Sequence, residues 1–157
     1  MEAESALQEL LLESPSLIPI NDIKEDISSL VYAVKEFPLP NSGSIDLLAF
    51  SPEGNIAIVE CKLATNPEAK RKVIGQILEY AAYLWGMSFE ELNSRVQEKS
   101  GGKNLTDLIR EYAGEEWDEE SFRLEVEESL KKGSFTLIIA VDEINEELKR
   151  IIQYINE

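Results

Sequence analysis

Histidine is missing from the chain altogether, and cysteine occurs once, at Cys61. The first absence excludes His-ligated zinc sites, HNH-type nucleases, Ser-His-Asp hydrolases and Cys-His proteases, each of which needs an imidazole as ligand or base. The second excludes an intramolecular disulfide and fits a reducing compartment, so the expected location is cytoplasmic. Basic residues are scarce: 15 Lys and Arg stand against 31 Asp and Glu, a formal charge of −16. A chain with that balance repels nucleic acid on average, which argues against a simple DNA-binding module. An enzyme is not excluded, because it needs a favourable field only at its centre, and divalent metals supply part of that. No apolar run is long enough to span a membrane. The acidic, amphipathic start from Met1 to Glu13 has the character of neither a signal peptide nor a transit peptide.

What is present is enough for one ordinary domain: 157 residues, 43% of them hydrophobic. Ala3, Leu7, Leu10 and Leu11 make a helical stripe over Glu2 to Leu12, with Glu4 at its edge and Glu9 on the opposite side. Three strands are expected next, near Leu30 to Phe37, Ser44 to Phe50 and Asn55 to Leu63. Ser51-Pro52-Glu53-Gly54 suits a type I turn with a bulge, joining the last two as a hairpin. Both of those strands are apolar on both faces, the pattern of central strands covered on each side. A long helix follows from Pro67 to about Trp85, capped by Asn66 and stopped at Gly86. Residues 87 to 133 read as an insertion of two or three helices, with a capping box at Ser88-Phe89-Glu90-Glu91. Residues 115 to 129 of that insertion hold eight acids and one base, whose ordinary explanation is a solvated helix face. A buried strand, Ser134 to Val141, and an amphipathic helix, Glu143 to Asn156, complete the chain. The order is α-β-β-β-α-(insert)-β-α, an α/β domain with a central mixed sheet flanked by helices.

The chemistry-bearing residues sit at one end of the hairpin. Strand alternation puts Ile56, Ile58, Glu60 and Lys62 on one face, with Cys61 on the other as a small buried hydrophobe. It puts Ser44, Asp46, Leu48 and Phe50 on one face of the strand before. Pairing around Gly54 then brings Asp46 close to Glu60. Two carboxylates and a lysine in an apolar setting are costly without a partner. A divalent cation such as Mg²⁺, which takes one or two carboxylates and keeps several waters, would resolve that cost. The alternative is a buried ion pair between Lys62 and either acid, with no chemistry.

The ordered set Gly43-Ser44-Ile45-Asp46 and Ile58-Val59-Glu60-Cys61-Lys62 resembles the motif pair of the PD-(D/E)XK nuclease superfamily. Gln76 and Tyr80 match the Gln-x-x-x-Tyr motif of its RecB-like members. Leu10 to Ile18 is similar to the opening helix and turn of NucS-like or resolvase-like endonucleases. The resemblance implies a restriction-endonuclease-like αβββαβ core and metal-dependent hydrolysis of DNA phosphodiester bonds, in repair, recombination or restriction. It implies Mg²⁺ or Mn²⁺ held by Asp46, Glu60 and the Cys61 backbone carbonyl. Glu4 would be the first-helix carboxylate, and Lys62 would position the attacking water. Gln76 and Tyr80 would contact a phosphate or brace the centre, though a core Tyr80 and a polar-edge Gln76 explain the same spacing. Lys70, Arg71 and Lys72 form a basic cluster that either neutralises phosphates or is a solvated helix turn. Ile45 stands where the family's name-giving proline would be, and the charge and the insertion are atypical of the family. The whole chain, 1 to 157, is read as a single such domain, and its last helix fits a module of a longer protein. A homodimer or an additional domain would supply further DNA affinity. Two other functions share the same residues: a non-cleaving nuclease-fold module for binding or assembly, and an RNA-directed nuclease.

Overall fold

A computed structural model of the chain describes residues 2–20, 28–40, 43–62, 67–141 and 154. Within them the elements are α1 (Glu2–Glu13), a single 3-10 turn (Pro15–Leu17), β1 (Tyr32–Pro38), β2 (Ser44–Phe50), β3 (Ile56–Lys62), α2 (Pro67–Leu84), α3 (Phe89–Ser100), α4 (Leu105–Ala113), α5 (Glu119–Lys132) and β4 (Thr136–Val141). The expected final helix, Glu143 to Asn156, lies outside the described residues apart from Tyr154. No helix among the described residues is long and apolar enough to cross a membrane.

The strands form one sheet in the order β1-β2-β3-β4. β1 pairs with β2 and β2 with β3 antiparallel, and β3 pairs with β4 in parallel, so the sheet is mixed and flanked by helices. β2 and β3 are central and buried almost end to end, as their unbroken apolar sequence requires. The turn between them closes with Gly54 N–H donating to Ser51 O at 3.1 Å and Ser51 N–H donating to Asn55 O at 3.1 Å. On one side of the sheet Leu11, Ile18, Ala33, Leu47, Val59 and Cys61 pack beneath α1. On the other, Val34, Leu48, Phe50, Ile56 and Ile58 pack against Val73, Ile77, Tyr80 and Leu84 of α2.

Helices α3 to α5, the insertion, join that second layer instead of forming a core of their own. Ser88 caps α3 by accepting the Glu91 N–H at 3.1 Å, and Gly101 and Gly133 end α3 and α5 in the left-handed conformation. The buried Phe122 of α5 meets Phe50 at 6.4 Å and Trp117 at 5.2 Å between ring centroids. Trp117 donates its indole N–H to Pro52 O at 2.7 Å, fastening α5 to the β2–β3 turn. The acidic stretch therefore sits at the turn end of the hairpin. Glu60 is six residues further along β3, about 20 Å away at strand rise.

Strict alternation fails at one place on two strands at once. Lys35 pairs with Leu47 and Phe37 with Ile45, so the register is the same on both sides of the unpaired step at Glu36 and Asp46. Yet Phe37 and Ile45 belong to the α2 side, while Ala33 and Leu47, of the same parity, belong to the α1 side. The phase resets across Glu36 and Asp46, which stand opposite each other. Glu36 has φ of 53°, left-handed backbone that a non-glycine residue adopts only when its surroundings hold it there. The alternation expected for Ser44 to Phe50 thus holds from Leu47 onward and not through Asp46.

Gly54 has φ of 99°, and a Cβ there would lie 2.7 Å from Phe122 O and 2.8 Å from Glu125 Cβ. Gly54→Ala is expected to destabilise the fold by about 2 kcal/mol or more, since it adds backbone strain to a backbone clash. Phe122→Ala, which empties the same joint, is expected to cost about 3–5 kcal/mol. Both are read by chemical denaturation.

Candidate active site

β2 and β3 stop pairing just before the acidic residues. Their last paired residues are Leu47 and Val59, and the next step along both strands is Asp46 and Glu60. There the backbone donors are taken by side chains. Asp46 N–H donates to Glu60 Oε1 at 3.2 Å, and Cys61 N–H donates to Asp46 Oδ2 at 2.9 Å. β3 remains paired with β4 through Lys62, so it is held straight while β2 leaves it. The two crossed bonds fix both carboxyl groups in the gap.

This placement is electrostatically expensive. Glu60 is 1% exposed. Burial, then the Asp46 charge, pushes its carboxyl up to about 8. Asp46 is raised as well, by burial, partly offset by the Cys61 N–H and the Lys62 charge. Lys62 is half-buried at the end of β3 and acts on both acids through its charge. Among the described residues, however, it forms no ion pair, so the buried-pair alternative is not what this arrangement contains.

A third carboxylate and an amide complete the surroundings. Gln8 of α1, buried, donates through Nε2 to Glu36 Oε1 and to the Asp46 carbonyl, both at 3.0 Å. Glu36 Oε2 accepts the Ser44 hydroxyl at 3.0 Å. The strained Glu36 backbone is thus tied to both neighbours of the Asp46 segment, and its charge reaches Asp46. Sequence reading missed Glu36 and Gln8. The signal for Glu36 is its register opposite Asp46, available once the hairpin is paired; Gln8 carries no local signal. The first-helix position next to the site is therefore occupied by Gln8, while the Glu4 side chain lies outside the described residues. Glu9, expected on the far side of α1, is ion-paired with Lys35 of β1.

Among the helix residues, Tyr80 is 8% exposed and packed in the α2-side core. Its hydroxyl is raised by burial and then by the Glu60 and Asp46 charges. Gln76 is half-buried one turn earlier on α2 and has no hydrogen bond among the described residues. Arg71 and Lys72 are exposed, and the Lys70 side chain is outside the described residues. Cys61 is 2% exposed on the α1 side of β3, too enclosed for a nucleophile.

The donor set suits a hard divalent cation of modest demand. Each acid spends one oxygen on a backbone N–H and keeps one free, so two carboxylate oxygens remain, the number Mg²⁺ uses beside its waters. Among the described residues no group of three or more acids, cysteines or histidines converges as a complete cage. No family model, no curated protein and no solved structure matches the chain.

The raised Glu60 carboxyl fixes the sign of a pH effect. Its proton is held more tightly in the folded chain than at the ordinary value of 4.5. Stability is therefore lost as pH rises from about 4.5 to about 8. Without added metal, the melting temperature should fall across that interval. Glu60→Gln should flatten the fall and melt higher than the parent at about pH 8, separating this group from the general repulsion of a −16 chain.

Proposed function

We propose that the chain is a metal-dependent nuclease that hydrolyses DNA phosphodiester bonds, with a restriction-endonuclease-like core and the PD-(D/E)XK arrangement of Asp46, Glu60 and Lys62. The observation that carries this reading is the pair of apposed carboxyls, Glu60 buried and Asp46 half-buried, with a half-buried lysine that neutralises neither by contact. Such a cluster is destabilising by itself, and a bound cation converts the cost into affinity.

Asp46 and Glu60 would hold Mg²⁺ or Mn²⁺ through their free oxygens, together with the Cys61 carbonyl. The ion would supply Lewis-acid activation of the scissile phosphate and of a water. Lys62, at the end of the same strand, would orient that water through its ammonium group. Tyr80 and Gln76, one turn before it, would brace the centre or contact a phosphate. Arg71 and Lys72, with Lys70, stand at the start of the same helix, where phosphates of a bound strand would meet positive charge. The acidic helix α5 is fastened to the far end of the hairpin, so its charge is well beyond the screening length of about 8 Å at physiological salt.

The deciding experiment is a cleavage assay on single-stranded, duplex, flapped and branched DNA and on RNA, with Mg²⁺ and with Mn²⁺. The parent should cut at least one DNA form and stop on chelation. Lys62→Ala should abolish cleavage, while calorimetric Mg²⁺ or Mn²⁺ affinity stays the same or rises, because removing a cation cannot weaken metal binding by simple electrostatics. Asp46→Ala should lose both metal binding and cleavage. A parent that binds metal and DNA but cuts nothing is a binding module, and undiminished cleavage by Lys62→Ala refutes the role given to the lysine.

A further inference from the structure

β1 edges the sheet among the described residues, and its outer side is the floor of a groove of about 480 Å³. The floor runs from Val31 to Glu36, with Leu12 and Pro15 on the α1 side and Lys99 and Tyr112, from α3 and α4, on the other. The inner end of the groove is Glu36, which is tied to the Asp46 segment through Gln8 and Ser44. One strand spacing, about 4.8 Å, separates Glu36 from Asp46 across the sheet. We infer that this groove receives an unpaired nucleic-acid strand and leads it to the Asp46–Glu60 centre, with Tyr112 as a base-stacking surface and Lys99 as a phosphate contact; the choice of ligand rests on the nuclease reading.

Three observations favour that occupant. The first is charge. In a chain with twice as many acids as bases, the charged residues lining this groove are two lysines and one glutamate. Lys35 is engaged by Glu9, whereas Lys99 has no ion pair among the described residues. Glu111, the acid that acts on Tyr32, is itself engaged by Lys103 at 3.7 Å. The second is aromatic surface. Tyr112 is 62% exposed, and its ring centre lies 6.3 Å from that of Tyr32 at a 40° tilt. One face is braced and the rest is open, as a stacking platform requires. The third is length. Tyr32 to Glu36 spans about 13 Å of strand, on the order of two nucleotides between the platform and the acids. Addition of a peptide strand to this edge is disfavoured by Lys35, Glu36 and Pro38, residues that blunt an edge against pairing.

The test uses the full chain and a fluorescein-labelled oligothymidylate, with binding followed by anisotropy in EDTA across a salt series. The parent should bind it. Tyr112→Ala should weaken binding on the order of tenfold. Lys99→Ala should weaken it and lower the slope of log affinity against log salt by about 0.7, the release expected for one phosphate on a single strand. Both side chains are exposed, so the variants should fold as the parent does. No binding by the parent, or parental affinity in both variants, overturns the inference. So does tighter binding of a duplex that Tyr112→Ala leaves unchanged. The two readings separate when Mg²⁺ is added. If the strand binds through Tyr112 and Lys99 but is not cut, the groove stands and the nuclease reading falls. If DNA is cut and Tyr112→Ala cleaves single strands with parental KM, the nuclease reading stands and the groove falls.

Discussion

The crossed hydrogen bonds between β2 and β3 govern the functional end of this molecule. Asp46 N–H reaches Glu60, and Cys61 N–H reaches Asp46. Each carboxylate accepts a main-chain N–H of the other strand at the point where the pairing ends. The backbone donors stay satisfied, which a buried sheet demands, and the strands are free to separate. The consequence is two acids locked side by side in a place where water cannot reach Glu60. The backbone N–H groups and the Lys62 charge offset their repulsion only in part, and among the described residues Lys62 makes no ion pair with either acid.

The rest of the fold serves that gap. β4 pairs with β3 as far as Lys62, so the strand that carries Glu60 and Lys62 cannot follow β2 as it leaves. α2 covers one side, and its Tyr80 hydroxyl feels the charges of both acids. α1 covers the other and sends Gln8 to the Asp46 carbonyl. Glu36, strained at φ of 53°, couples the edge strand to the same point. The left-handed residue and the loss of side-chain alternation on both strands are one event: the hairpin turns over at Glu36 and Asp46 without losing register.

The insertion solves a different problem. Helices α3 to α5 extend the α2-side core, and α5 is fixed to the β2–β3 turn by Trp117, Phe122 and the missing side chain at Gly54. That docking keeps the most acidic surface at the opposite end of the strands from Asp46 and Glu60. The same insertion supplies Lys99 and Tyr112 to the groove on β1. A chain of net charge −16 can still offer a polyanion a favourable path if its charge is segregated in this way.

Much of this was legible from residue order, because it depends on local rules. The apolar content of Ser44–Phe50 and Ile56–Lys62 on both faces marks them as central strands. Pro67 and Gly86 bound the long helix, Ser88 caps the next, and Gly54 demands a turn. Given a hairpin around Gly54, the approach of Asp46 to Glu60 follows from counting along two strands. What residue order could not supply were the contacts made across distance. Gln8 is 38 residues from Asp46 and meets its carbonyl only because α1 folds beneath the sheet. Glu36 looks like any strand acid until pairing sets it opposite Asp46 and its own dihedral reverses the alternation. That Lys62 makes no ion pair with Asp46 or Glu60 is a matter of a few ångströms, which no spacing rule resolves. The groove exists only where α1, α3 and α4 converge on one strand edge. Periodicity and capping are properties of a segment and can be read from it; a gap, a strained dihedral and a groove are set by how segments compete for the same space, and that competition is decided only when the chain packs.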